Sequence, residues 1–110
     1  MLHAAPITHG SGAFFLPHLV KGAANVVLPK FSTAAFLEAA QKHRATTTFL
    51  VPTMIAMVLQ HPSYQPARLS SLRRIGYGGM AMPHALLAAL QQSTPDIQLL
   101  QGYGMTEACA

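Results

Sequence analysis

Charge is the scarcest property of this chain. Charged residues fill 9% of its 110 positions, against roughly 25% in an ordinary soluble domain, while 51% are hydrophobic. Acids are rarer still. Glu38, Asp96 and Glu107 are the whole set, so the net charge of +4 comes from missing carboxylates and not from a basic run. Apart from Arg73-Arg74 the lysines and arginines are scattered, which excludes the basic stripe of a nucleic-acid binder. That pair reads as a solvated strand end. Cysteine is limited to Cys109, which excludes a disulfide framework and points to a reducing compartment. The six histidines show no HxH or HExxH spacing, which argues against a zinc site. No apolar run reaches the ~18 residues of a membrane span, and the first residues lack the charged and long apolar regions of a signal peptide. The expected location is cytoplasmic, with peripheral attachment to a membrane as the one membrane role left open.

So few charges cannot cover the surface of a 110-residue domain without leaving large apolar patches. The chain therefore reads as part of a larger protein, with faces to be covered by other segments or, failing those, by self-association.

What is present is a regular alternation. Leu2–Ala5, Ala24–Leu28, Thr46–Val51, Arg73–Tyr77 and Asp96–Gln101 read as strands, several of them β-branched and closed by proline or glycine. Between them lie apolar or amphipathic stretches of helical length: Ala13–Gly22 with Pro17 interrupting it, a helix capped by Ser32, Thr53–Gln60, and a helix with Pro83 in its first turn. A short helical turn is expected near Leu69–Leu72. The almost wholly apolar Thr53–Gln60 predicts burial on more than one side. Five strands alternating with four helices predict an α/β fold with a mostly parallel sheet and no internal domain boundary. In such a sheet the segments after the strands gather at one rim, where ligands bind. Those segments hold His9, Lys30, Pro52-Thr53, Gly78-Gly79 and Tyr103–Glu107.

The last of them runs Gln101-Gly102-Tyr103-Gly104-Met105-Thr106-Glu107. Glycines let the backbone turn tightly and approach a ligand, a tyrosine offers a flat face to a purine, and Thr106 with Glu107 supplies the hard oxygens Mg²⁺ prefers. Read from residue types alone, the same stretch is also a strand, a turn and a helix start with Thr106 as cap.

This stretch resembles the YGxTE motif of the adenylate-forming, or AMP-binding, superfamily. Upstream, Pro6-Ile7-Thr8-His9-Gly10-Ser11-Gly12 is similar to its PxxHxxG segment, and Gly78-Gly79-Met80-Ala81 to its small-residue turn. The resemblance covers the whole chain and a central slice of the superfamily's large N-terminal domain. It implies ATP and Mg²⁺ as cofactors, coenzyme A as co-substrate, and catalytic roles for His9, Thr106 and Glu107. By the same resemblance Tyr103 packs on adenine, with Gly102 and Gly104 leaving room. Gly79, Met80, Ala81 and Gln101 border the nucleotide, Thr106 contacts phosphate, and Glu107 with Thr106 holds the metal. His9, Ser11, Gly79, Met80, Gln101 and Gly102 are implied around the acyl substrate, and Lys30 at coenzyme A. Met80 departs from the usual alanine, which bears on substrate size.

Peptide-synthetase members carry a Phe-Asp pair where this chain has Thr8-His9, so the resemblance leans to fatty-acid or aryl-acid CoA ligases. Partners are then a carboxylic acid, ATP, coenzyme A and the rest of a parent enzyme. The superfamily's phosphate loop, ribose-binding aspartate and catalytic lysine have no counterpart in these 110 residues, so the chain alone is expected to be inactive. The alternative is a non-catalytic nucleotide- or CoA-binding fragment, or a structural one.

Overall fold

Chain direction is the same in every strand. The computed structural model describes residues 1–105 and 107. Across them run β1 (Leu2–His3), a 3-10 helix (Gly10–Phe14), α1 (Phe15–Val20), β2 (Val26–Val27), α2 (Thr33–Lys42), β3 (Thr47–Leu50), α3 (Pro52–Gln60), a second 3-10 helix (Pro66–Leu69), β4 (Arg74–Tyr77), α4 (His84–Ser93) and β5 (Gln98–Gln101). The strands form one sheet in the order β2-β1-β3-β4-β5, and each neighbouring pair is parallel. The α/β fold with its parallel sheet is thus as expected from the alternation.

Register sorts the side chains onto two faces, because successive residues of a strand point to opposite sides. Leu2 lies opposite Thr48, which lies opposite Ile75; Leu50 lies opposite Tyr77. On that face Leu2, Leu50, Ile75 and Tyr77 join Phe36, Leu37 and Ala40 of α2, Ile55 and Val58 of α3, and Leu90 of α4 in one core. Thr48 lies among them, and its hydroxyl donates to the Leu2 carbonyl at 2.9 Å. The opposite face carries His3 and Phe49, which are register partners. Phe15 packs on His3 and Phe14 stacks on Phe49, with ring centroids 5.5 and 5.6 Å apart. The Gly10–Phe14 turn and α1 therefore cover β1 and β3 on this side, whereas Leu100 of β5 is 45% exposed.

Local chemistry accounts for the helix starts. The Ser32 hydroxyl accepts from the Ala35 amide at 3.1 Å, the cap its residue type predicts. Pro52 closes β3 as expected and also opens α3 at its first position, where a missing N–H costs nothing. Pro17 does not interrupt a helix. It is the third residue of α1, within the first turn whose amides have no intrahelical partner. The apolar run before it winds as the tighter 3-10 helix. Pro83 stands just outside α4, at its cap. The helical turn expected at Leu69–Leu72 forms earlier, at Pro66–Leu69. The apolar α3 buries Pro52, Ile55 and Val58, but Met57 is 52% exposed, so burial is one-sided.

In the 110 residues taken by themselves, the Met1 amino group donates to the Ala24 carbonyl at 2.6 Å, and desolvation there lowers its pKa below the usual 8.0. The unfolded chain then binds more protons between the lowered value and 8.0, so stability rises with pH across that window and is level above it. Equilibrium urea unfolding from pH 6 to 9 checks this. Acetylating the amine, which keeps an N–H for Ala24 and removes the charge, should flatten the rise; an unchanged slope would contradict it.

Candidate functional site

The carboxyl ends of five parallel strands define one rim. The segments that leave it contain His9, Lys30, Pro52-Thr53, Gly78-Gly79 and Gly102–Met105. Strand order reverses between β1 and β3, since β1 continues to β2 on one side and β3 to β4 on the other. A crevice outside the strand ends at such a reversal is where open α/β sheets bind ligands.

Contacts at this rim are close and mostly glycine-mediated. The Gly102 amide donates to the Tyr77 carbonyl at 2.7 Å, extending the β4–β5 pairing by one step. A Cβ on Gly78 would lie 2.5 Å from the Gly102 carbonyl oxygen, so the turn after β4 and the turn after β5 touch backbone to backbone. Gly79 has φ +84, a conformation that favours glycine, and it turns the chain past Val51. Met80 and Ala81 follow, both exposed. Gln101 ends β5 opposite Tyr77 and is itself exposed. Tyr103 stands 88% exposed, its hydroxyl 3.7 Å from the Met105 sulfur, leaving the ring faces open to a flat ligand. Gly104 and Glu107 are exposed. Thr106, read from the sequence as a phosphate and metal contact, lies outside the described residues.

Phe49 joins these pieces, and residue-type reasoning did not single it out. Cβ atoms built on Gly10, Gly76, Gly78 and Gly102 would meet its ring at 3.1, 3.0, 3.4 and 3.8 Å. One buried ring thus underlies the His9 loop, β4, the Gly78-Gly79 turn and the Gly-Tyr-Gly turn. The alternation in Thr47-Thr48-Phe49-Leu50 tells that Phe49 faces away from Leu50. It cannot tell that glycines from four other segments converge there.

His9 is exposed. Its Nδ1 lies 3.2 Å from the Thr8 hydroxyl, and its amide donates to the Pro6 carbonyl at 3.1 Å. Ser11, expected beside an acyl substrate, is fully buried with its hydroxyl 2.8 Å from His3 Nδ1. Lys30 is exposed after β2, the edge strand farthest from β5. Four strand spacings put it roughly 19 Å along the rim from the Tyr103 turn. The rim therefore draws together the His9 loop, Gly78–Ala81 and Gln101–Tyr103, and leaves Lys30 apart. A separate polar hollow lined by Arg44, Arg68 and Arg73 lies at the amino ends of the strands, away from all of these.

Among the described residues no three His, Cys, Asp or Glu side chains cluster as a metal site, and no helix is long and apolar enough to cross a membrane. Mg²⁺ commonly takes one or two carboxylates and completes its shell with substrate phosphate and water. The exposed Glu107 carboxylate fits that donor set.

Comparison with known proteins agrees with this fold. The family described as AMP-binding enzyme matches residues 1–110. The medium/long-chain-fatty-acid–CoA ligase of Mycobacterium tuberculosis is 38% identical over 108 residues, covering 97% of this chain and 19% of that protein. The feruloyl-CoA synthase of an Amycolatopsis species is 39% identical over 109 residues, covering 97% and 22%. Among solved structures, the O-succinylbenzoate coenzyme A synthetase of Bacillus subtilis, in complex with ATP and magnesium ion, superposes with a TM-score of 0.81 at 32% identity, covering 99% of this chain and 22% of that one. The chain thus spans about a fifth of the length of the relatives it matches. With the fold, the glycine-built rim and a family match along its whole length, the chain belongs to the AMP-binding enzyme family.

Proposed function

We propose that this chain is the central part of the N-terminal domain of an acyl-CoA synthetase, a fatty-acid or aryl-acid CoA ligase. In the first step an oxygen of the substrate carboxylate attacks the α-phosphorus of ATP. The bond from that phosphorus to the bridging oxygen breaks, pyrophosphate leaves, and an acyl-adenylate remains. In the second step the thiol of coenzyme A attacks the acyl carbonyl, gives up its proton, and AMP departs. The observation that supports this most is the parallel rim on which the Gly78-Gly79 turn and the Gly102-Tyr103 turn touch.

Each residue acts by position or charge. Tyr103 offers a face to adenine, with Gly102 and Gly104 keeping Cβ atoms out of the way. Gly79, Met80, Ala81 and Gln101 border the boundary between nucleotide and acid, and Met80 narrows the acid's side. His9 closes the acyl pocket, with Ser11 behind it in the same loop. Thr106 and Glu107 serve the phosphates, and Glu107 holds Mg²⁺. The bound cation offsets the charge that builds on the phosphates. Lys30, at the far end of the rim, meets a phosphate of coenzyme A as a hydrated point charge. Most of the rate enhancement in such a site is positioning and electrostatics. We place the enzyme in the cytoplasm. The remainder of the parent enzyme covers the exposed Leu16, Leu19 and Val20 of α1, and copies of the isolated chain meet there instead.

Pyrophosphate release tests the activity. The parent enzyme, given ATP, Mg²⁺ and a panel of fatty and aryl acids, should turn over with at least one of them, and these 110 residues alone with none. A parent idle on every acid would refute the ligase assignment, and turnover by the short chain would refute its dependence on other segments. For the nucleotide face, Tyr103→Ala in the parent should weaken ATP binding about tenfold, since stacking a base on an aromatic ring contributes ~1–3 kcal/mol. Calorimetry with ATP and Mg²⁺ reads it, and an unchanged Kd would remove Tyr103 from the site.

A further inference from the structure

Behind the His9 loop lies a buried polar chain that the proposed reaction does not use. His3 and Ser11 are both fully buried. His3 Nδ1 lies 2.8 Å from the Ser11 hydroxyl and Nε2 lies 2.7 Å from Asn25 Oδ1. Asn25 Nδ2 donates to the Phe15 carbonyl at 3.3 Å, and that bond decides the rest. It fixes the amide with Nδ2 toward Phe15, so the oxygen facing His3 is an acceptor only. In the neutral imidazole His3 then carries its proton on Nε2, Nδ1 accepts, and the Ser11 hydroxyl donates. The direction of every bond follows from one amide.

A serine, a histidine and an asparagine in line also describe a nucleophile, its base and an orienting group. Burial rules that use out, because neither Ser11 nor His3 has surface for a substrate to reach. Their effect is mechanical. His3 sits in β1, Ser11 in the turn just after His9, and Asn25 just before β2. Otherwise the loop is held by short-range backbone bonds, His9 to Pro6 and Gly12 to His9, which close the turn without tying it to the sheet. Ser11 is the side chain that does so through a hydrogen bond.

We propose that His3 is the positioning residue of the His9 loop, seating the 3-10 turn on β1 by accepting from Ser11 while Asn25 holds the imidazole in the required tautomer. Its consequence for catalysis, a fixed place for His9 against the acid, rests on the function proposed above; the seating does not.

Nitrogen-15 spectra of the 110-residue chain should show His3 Nδ1 without a proton and Nε2 with one. In native-state hydrogen exchange, Ser11→Ala should lower protection of the His9 and Gly12 amides about tenfold and leave α2 unmoved. His3→Asn, which keeps an acceptor near the Nδ1 position, should retain most of that protection. His3→Gln, which keeps only a donor near Nε2, should behave like Ser11→Ala. A proton on Nδ1, unchanged loop protection in Ser11→Ala, or an equal loss in α2 would each overturn the proposal. In the parent enzyme Ser11→Ala should raise KM for the acid severalfold and leave KM for ATP alone. If the loop loosens and neither KM moves, the seating stands and the substrate role of His9 falls.

Discussion

Gly12→Ala is expected to lower the melting temperature by about 12 °C or more, equivalent to a loss of about 3 kcal/mol or more. Its new Cβ would lie 1.7 Å from the Ile7 carbonyl oxygen. Restoring an ordinary carbon–oxygen contact takes about 1.5 Å of movement, and the obstacle is backbone, which has no rotamer to swing away. The 3-10 turn must therefore lift from residues 6–9, carrying Ser11 off His3. Circular dichroism melting reads the loss, and the environment of the His3 ring, followed by NMR, reports whether the turn has moved. A variant that melts with the original chain would show that the close approach of Gly12 to Ile7 is not needed.

Phe49→Ala should cost about 3–5 kcal/mol, the usual range for removing a buried aromatic ring. More telling is where the damage appears. Gly10, Gly76, Gly78 and Gly102 all lean on this ring, and no side chain of their own can fill the space it leaves. We expect exchange protection to fall along the rim, at the Gly102 amide above all, and to persist in α2, whose Phe36 and Leu37 belong to the core on the other face. Phe49→Leu keeps most of the volume and should cost less than about 1.5 kcal/mol. Urea titrations of both variants decide it. If the alanine variant loses under about 1 kcal/mol, Phe49 is not the floor of the site.

Contrasting Phe49 with Ser32 shows what the sequence exposed and what it hid. The Ser32 cap is a bond between residues three apart, and the residue type alone announces it. The parallel sheet was legible for a related reason, as several strands carry a β-branched run and each is followed by its own closing proline or glycine. Phe49 and His3 depend instead on partners far along the chain. Gly102 comes 53 residues after Phe49, and Asn25 comes 22 after His3. No local pattern encodes those meetings. Pro17 marks an intermediate case: the residue flagged a disturbance, but only the helix start shows that it falls in a turn that tolerates proline. Ser11 was legible as a member of the rim loop, whereas the inward direction of its hydroxyl follows from the buried histidine beneath it.

The interior place of β1, between β2 and β3, also sets an order in time. Its two residues pair with β2 on one side and β3 on the other, and both partners follow it in the chain. A ribosome adding about 5–20 residues per second leaves Leu2 and His3 waiting some 2–10 s for Leu50 to emerge. Until then the segment that anchors the His9 loop has no complete neighbourhood, and its apolar residues stand open to chaperones or to the wrong partner. The rim is thus secured late: the loop bearing His9 is synthesised before the strand that will support it.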